Sequence, residues 1–300
     1  MAKVVSIDIG GTNTRVALVN EDYEIIERIS FRTDPNNPEV TLKRIGDEIN
    51  NFNSEVLGLG LSCPGPLDLK KGIVLESPNL PGWHGLHLVE RLKELTGLSA
   101  YLENDANLAG LAEATIGAGK GYNHVQYLTV STGLGGGFIV DGEIYIGHRG
   151  FAQEIANVIL QPGGFSIGNL QAGSLESLCS GTGIVAQAAE KGIEAEHAGI
   201  VNDLAVAGNK DAQKIMADTK EYISQAIAGI YAFLDPGIVV LGGSVALKTA
   251  GYIEEVENLV KEKVYDVVKE NVKLVPASLG DDNGILGGAI LVYNKERGNK

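Results

Sequence analysis

Cysteine is scarce in this chain of 300 residues: there are two, Cys63 and Cys179. Two cannot build a disulfide framework, and neither lies in a CxxC pair, which excludes a disulfide-stapled scaffold and a dithiol or zinc-knuckle motif. A reducing compartment, the cytoplasm, is the expectation. Positive charge is short as well. Lys and Arg number 24 against 38 Asp and Glu, a formal net charge of −14, whereas a phosphate backbone is bound by clustered Lys and Arg. No nucleic-acid partner is therefore expected. No apolar run is long enough to span a bilayer, and Met-Ala-Lys leads straight into a strand without the basic segment and apolar core of a leader. No membrane partner is expected either. Two phosphate-binding patterns are missing: the P-loop GxxxxGK[ST], and the strand-to-helix GxGxxG. GAGKGY at Gly117 to Tyr122 lacks the third glycine at the required spacing and reads as a flexible connection. What the chain does have is 44% hydrophobic content, enough to pack one large domain or two of ordinary size.

The apolar segments KVVSIDIG and TRVALVN flank a Gly-Gly turn and are expected to pair as antiparallel strands, with a third strand in EDYEIIERISFRT. PEVTLKRIGDEINNFN has helical spacing, VLGLGLSCPG reads as a buried strand ending in a loop, and GLHLVERLKELTG as an amphipathic helix stopped by Gly97. AYLEND is a short strand followed by a helix in ANLAGLAEATIG. HVQYLTVSTGLGGGFIVDGEIY then repeats the opening: two apolar strands around a Gly-rich turn. From Ser174 to about Leu234 the chain is mostly Ala-rich helix, GIVVLGGSV is one more buried strand, and GILGGAILVYNKER is a closing helix. The pattern predicts two similar α/β domains of mixed sheets flanked by helices. The first is residues 1–117 joined by the helix 284–300, and the second is 118–283.

Each turn has a chemical reading. Gly10 and Gly11 permit close backbone approach, so successive N–H groups and the Thr12 and Thr14 hydroxyls can face an anion. Asp8, at the strand end, can help hold Mg²⁺ through water. The alternative is a hairpin turn chosen for geometry alone. The second turn, with Ser131, Thr132, Gly133 and Gly135, again joins hydroxyls to glycines, and two such turns would clamp a polyphosphate from both sides. Asp105, taken alone, reads as a helix cap or as a carboxylate that accepts a proton.

DIGGTNTR, CPGPLD, SPNLPGW, ENDANLAG, STGLGGG and VVLGGS occur in that order. Together they resemble the ROK family of sugar kinases and repressors, over a span from Asp8 to about Ala289. The resemblance implies a two-domain actin-like (ribonuclease H-like) ATPase fold that closes on sugar and nucleotide, with ATP and Mg²⁺ as cofactors and a homodimer as one expectation. It puts Asp105 in the role of catalytic base. Asn79 and Asn104 fall on sugar-contacting positions. FAQEIANVIL aligns with the family pattern AGEIGH, so Glu154 matches a sugar-binding carboxylate and Asn157 stands where histidine is usual. Glu176 matches a second substrate glutamate. Gly242, Gly243 and Ser244 resemble the adenosine-side turn, although a packed strand-to-helix turn explains them equally well locally.

Many family members hold a structural zinc through that histidine and three cysteines. The corresponding segment here, QPGGFSIGNLQAGSLES, has no cysteine or histidine, so no structural zinc is expected. The leading expectation is an ATP-dependent kinase for the 6-hydroxyl of glucose or an N-acetylhexosamine. The alternatives are a sugar-responsive repressor or binding protein without kinase activity, or a kinase for fructose or a β-glucoside. Only seven residues precede Asp8, which leaves no room for a repressor's winged helix-turn-helix. The sugar itself stays open.

Overall fold

The computed structural model describes residues 2–298, and the chain divides into two compact units. The first comprises Met1–Thr115, Ile144–Ala152 and Asp281–Lys300, the second Ile116–Glu143 and Gln153–Gly280.

In the first unit, β1 (Lys3–Ile9) and β2 (Asn13–Val19) form the expected hairpin, with Gly10 N–H donating to Asn13 O at 2.9 Å. Then come β3 (Ile25–Arg32), α1 (Pro38–Asn51), β4 (Val56–Cys63), a small hairpin of β5 (Leu67–Asp68) and β6 (Ile73–Val74), α2 (Leu88–Thr96), β7 (Ala100–Asn104) and α3 (Asp105–Thr115). The sheet order is β3-β2-β1-β4-β7, and β1, β4 and β7 run parallel. Residues 4–7 of β1 are all buried, as a strand covered on both faces requires. Leu42, Ile45 and Ile49 of α1 and Leu88 and Leu92 of α2 pack on one face. α2 ends at Gly97, whose φ of 72° gives the left-handed cap foreseen from its sequence.

The second unit holds β8 (His124–Val130), β9 (Leu134–Val140), β10 (Glu143–Ile144), α4 (Leu175–Cys179), α5 (Gly181–Glu190), α6 (Ala198–Val206), α7 (Lys210–Leu234), β11 (Ile238–Gly242), α8 (Ser244–Lys248), α9 (Tyr252–Lys261), α10 (Asp266–Lys269) and β12 (Leu274–Pro276). Its sheet runs β10-β9-β8-β11-β12, the same plan: an antiparallel hairpin followed by parallel neighbours. Ile184, Val201, Ile223, Ile227 and Val256 build a helical core against it.

The last helix, α11 (Asn283–Gly298), belongs to the first unit. Ile285, Ala289, Val292 and Tyr293 meet Val4, Ala17 and Val19 on the face opposite α1 and α2. The approach is close: a Cβ on Gly60 would lie 2.1 Å from Gly288 O, so only glycine fits in β4 there. Residues 299 and 300 of the expected helix lie outside the described residues.

Candidate active site

In the first unit, the carboxyl ends of the parallel strands β1, β4 and β7 lie side by side. Asp8 pairs in register with Ser62, Ser62 with Glu103, and Cys63 with Asn104. Ligands in open α/β sheets bind outside such ends. Asp8 is held from two sides. Ser62 Oγ donates to its Oδ1 at 2.8 Å, and Arg15 donates to its Oδ2 from Nε at 3.0 Å and from Nη2 at 2.5 Å. The Gly10–Gly11 turn follows directly, and a Cβ on Gly11 would lie 2.8 Å from Asn79 Cβ. Asn79 is thereby placed beside the turn. Thr12 is exposed on it. Thr14 is buried instead, its hydroxyl paired with that of Thr33 at 2.8 Å, so it braces the hairpin and does not line its outer face.

Asn104 ends β7 and Asp105 begins α3. The Oδ1 atoms of both accept from Ala106 N–H, at 2.9 and 2.8 Å, which caps the helix through Asn104 and leaves the Asp105 side chain exposed. The CPGP loop after β4 passes close by: a Cβ on Gly65 would lie 3.6 Å from Asn104 Nδ2. Underneath, buried Glu103 accepts from Asn104 N–H and Asn107 Nδ2, each at 2.9 Å, and burial raises its carboxyl above the usual range. Cys63 is buried, and loss of hydration pushes its thiol up, with the charges of Asp105 and Asp8 adding to the effect. It is no nucleophile.

In the second unit, the carboxyl ends of β8 and β11 carry the other two turns. Ser131 N–H donates to Gly133 O at 2.9 Å, closing the first turn tightly. α5 supports it: Gly181 N–H donates to Ser131 O at 2.6 Å and Thr182 Oγ1 to Thr132 O at 2.9 Å. Gly135 lies in β9 opposite Thr129. Gly242 closes β11 under Tyr127, where a Cβ would lie 2.5 Å from the phenol oxygen. Gly243 has φ 86°, and a Cβ there would meet Val130 O at 2.3 Å; both facts demand glycine. The two turns touch, with Ser131 Oγ and Ser244 Oγ 3.3 Å apart. They open on a cavity of about 470 Å³ lined by Thr132, Thr182, His197, Asp203, Ser244 and Lys248, among others.

The sugar-position residues of this unit lie near one another. Glu154 precedes a short 3-10 turn, Ile155–Asn157, and Asn157 N–H donates to Glu154 O at 3.1 Å. Glu154 is exposed overall, yet neighbouring atoms crowd its carboxylate enough to raise it; lost hydration is the larger cause and the nearby Glu176 charge the smaller. Glu176, half-buried in α4, accepts from Leu134 N–H at 3.1 Å through Oε2, and that oxygen lies 3.4 Å from a Cβ position on Gly133. This carboxylate is bonded to the Ser131–Gly135 turn itself.

Some of these residues escape recognition from the sequence. Arg15 had a weaker signal: once Gly11 and Thr12 are taken as the two turn residues between Gly10 and Asn13, positions 8 and 15 face each other across the hairpin. Thr182, in SGTG, also had one, because that run repeats the hydroxyl-and-glycine composition of the phosphate turns. Ser62 and Glu103 had none. Among the described residues no group of three His, Cys, Asp or Glu side chains is placed to hold a metal ion. The two cysteines are both buried and lie in different units.

A family model described as the ROK family matches residues 4–295. The chain is 32% identical to a glucokinase of Thermotoga maritima over 317 aligned residues, 98% of each protein. It is 31% identical to an N-acetylmannosamine kinase of Citrobacter koseri, over 96% of this chain and 97% of that one. Among solved structures, a ROK hexokinase from Thermus thermophilus matches with a TM-score of 0.91 at 31% identity, over 99% of both chains. Two mixed sheets of one plan, each flanked by helices, are the actin-like ATPase fold of these relatives. The chain belongs to the ROK family.

Proposed function

We propose that this protein is an ATP-dependent sugar kinase that phosphorylates a primary hydroxyl of a hexose, the 6-hydroxyl of glucose or of an N-acetylhexosamine. One observation carries the reading. The parallel strands β1, β4 and β7 bring a cation-held carboxylate, Asp8, and an exposed carboxylate, Asp105, to one edge, beside a Gly-Gly turn and two asparagines. Relatives described as glucokinase and N-acetylmannosamine kinase, similar over nearly the whole chain, support the same class.

In this reading Asp105 accepts the proton of the sugar hydroxyl as its oxygen bonds to the γ-phosphorus and the bond from that phosphorus to the β,γ-bridging oxygen breaks, releasing ADP. General-base assistance of this kind supplies about 10²- to 10⁴-fold in rate, or roughly 3–5 kcal/mol of barrier. Asn79 and Asn104 orient sugar hydroxyls, and a site built from such groups penalises analogues that leave them unpaired. The Gly11 N–H and the Thr12 hydroxyl take phosphate oxygens, Gly10 permits their close approach while its own N–H closes the hairpin on Asn13 O, and Thr14 braces the turn. Ser131, Thr132, Gly133 and Gly135 serve phosphate oxygens, and Gly242, Gly243 and Ser244 serve the adenosine at the cavity. Glu154, Asn157 and Glu176 bind the sugar. Asp8, an anionic oxygen at a strand end next to the phosphate turn, fits water-mediated contact with Mg²⁺, which offsets phosphate charge when bound with ATP. Arg15 and Ser62 hold Asp8 in one orientation.

A coupled ADP-release assay with glucose, mannose, N-acetylmannosamine, N-acetylglucosamine, fructose and a β-glucoside tests the reading. Mg²⁺-dependent turnover is expected, with the highest kcat/KM on glucose or an N-acetylhexosamine. Absence of ADP release with every sugar would overturn it in favour of a binding or regulatory role. The proposal includes no structural zinc, and metal analysis that finds about one tightly bound zinc per chain would contradict it.

A further inference from the structure

Gln126 on β8 is fully buried, and its amide is tied to a residue just before Glu154. Its Nε2 donates to Gln153 Oε1 at 2.7 Å and lies 2.9 Å from Tyr127 O and 3.2 Å from Gly137 O. An amide nitrogen has two hydrogens, so three acceptors share them and the shortest contact is the one to Gln153. Gln126 Oε1 is buried without a hydrogen-bond partner. For stability alone an apolar pair of similar shape would serve at least as well, because a buried orphan acceptor is costly. The amide is retained in the core of a strand against that cost.

Gln153 carries a second cost. Its φ is 70°, and of the described non-glycine residues with positive φ, three are Asn or Asp, which tolerate this region through local hydrogen bonds; Gln has no such advantage. Residues persist in this region where their surroundings over-determine them, and they cluster at binding sites. Two contacts of that kind are present. The amide is clasped by Gln126, and the backbone is seated on β9, where a Cβ at Gly136 would lie 3.4 Å from Gln153 O and 3.2 Å from Ile155 Cγ2. The residue fixed between these anchors is Glu154.

We propose that Gln153, clasped by Gln126, is the positioning residue for Glu154 and thereby sets the affinity for sugar. The inference rests on the reading of Glu154 as a sugar-binding carboxylate. Gln153→Gly is the informative variant, since it relaxes the backbone while deleting the amide, so the protein should fold at least as well. Gln126→Met breaks the clasp from the other side. Each should speed hydrogen exchange of the backbone amides at 154–158 and raise KM for glucose, or for N-acetylmannosamine if that turns over faster, by about tenfold. Displacements of about 1 Å at a binding group have effects up to about 10²-fold. KM for ATP and kcat should stay within about twofold, and the double variant should be no worse than the worse single one. Unchanged exchange at 154–158 in both variants overturns the clasp whatever the protein's activity. Faster exchange with an unchanged sugar KM, while Glu154→Gln raises that KM, overturns the positioning role. If Glu154→Gln itself leaves the sugar KM unchanged, the assignment of Glu154 falls, and the proposed link from Gln153 to sugar affinity falls with it.

Discussion

The two hairpins that open the two sheets have the same plan and hold their charge differently. The first carries its own carboxylate and its own cation: Asp8 and Arg15 are register partners across β1 and β2. The second has no acid or base in its turn and borrows Glu176 from α4, 42 residues beyond Leu134, through one backbone N–H. A pair seven residues apart closes with the hairpin itself, whereas a bond of that longer reach requires α4 to pack first. The first edge is thus suited to chemistry that needs fixed charge, and the second to binding that can tolerate adjustment. If that division is right, substitutions at the first edge reduce turnover or stability and those at the second reduce affinity.

The largest effect tests the division most directly. Asp105→Asn deletes the proton acceptor but keeps size and polar atoms, so kcat should fall by more than about 10²-fold while glucose affinity, read by calorimetry, stays within a few-fold. A fall in kcat of less than about tenfold would remove Asp105 from the role of base.

Next in size are the second-unit carboxylates. Glu154→Gln and Glu176→Gln should each raise the sugar KM far more than the ATP KM, by on the order of 1.5–3 kcal/mol of binding if the carboxylate packs against the sugar, the range for bonds to charged groups. The bond to Leu134 N–H separates two roles for Glu176. Gln can still accept there, so the turn survives; Glu176→Leu cannot, and should raise the ATP KM as well. Equal ATP KM values for the Gln and Leu variants would show that the turn does not depend on this carboxylate.

Arg15→Met should matter through stability. It leaves the half-buried Asp8 without its cation, at a cost of roughly 1–3 kcal/mol, between the values for exposed and buried pairs. Glu176→Gln should change stability by less than about 0.5 kcal/mol. Urea denaturation of the two variants checks the contrast, and equal midpoints would erase the distinction drawn between the hairpins.

How much of this was legible in the sequence varies with the range of the interaction. The hairpins, the Gly97 stop and the helices around Asp105 follow from period and turn chemistry, which act within a few residues. Asp105 and the glycine turns stand out as candidates because six motifs keep one order. Burial of Thr14 and the Leu134 bond of Glu176 were not legible, since they depend on Thr33 and α4 arriving from elsewhere in the chain. Gln153 had a faint signal, since it stands where the pattern AGEIGH has glycine, the residue suited to a left-handed φ; its partner Gln126, 27 residues away, had none.

The smallest expected effect is a pH dependence, and its sign is specific. The Glu154 carboxyl is raised from its ordinary 4.5 by lost hydration and then by Glu176. It therefore takes up its proton at higher pH than an ordinary carboxylate does. Sugar binding that uses the ionised form should weaken as pH falls, beginning in weakly acidic solution, with a rise in sugar KM of a few-fold over the range in which the carboxylate is only partly protonated. Stability should move the other way. A group with a raised folded-state value binds its proton more tightly when folded, so its contribution is full below the unfolded value and is lost as pH rises through the folded one. Glu154→Gln removes the titration and should flatten the acid limb of kcat/KM for sugar. An acid limb of the same midpoint in that variant would assign the limb to another carboxylate, and Asp105→Glu, which shifts the base without abolishing it, would then show whether the first edge owns it.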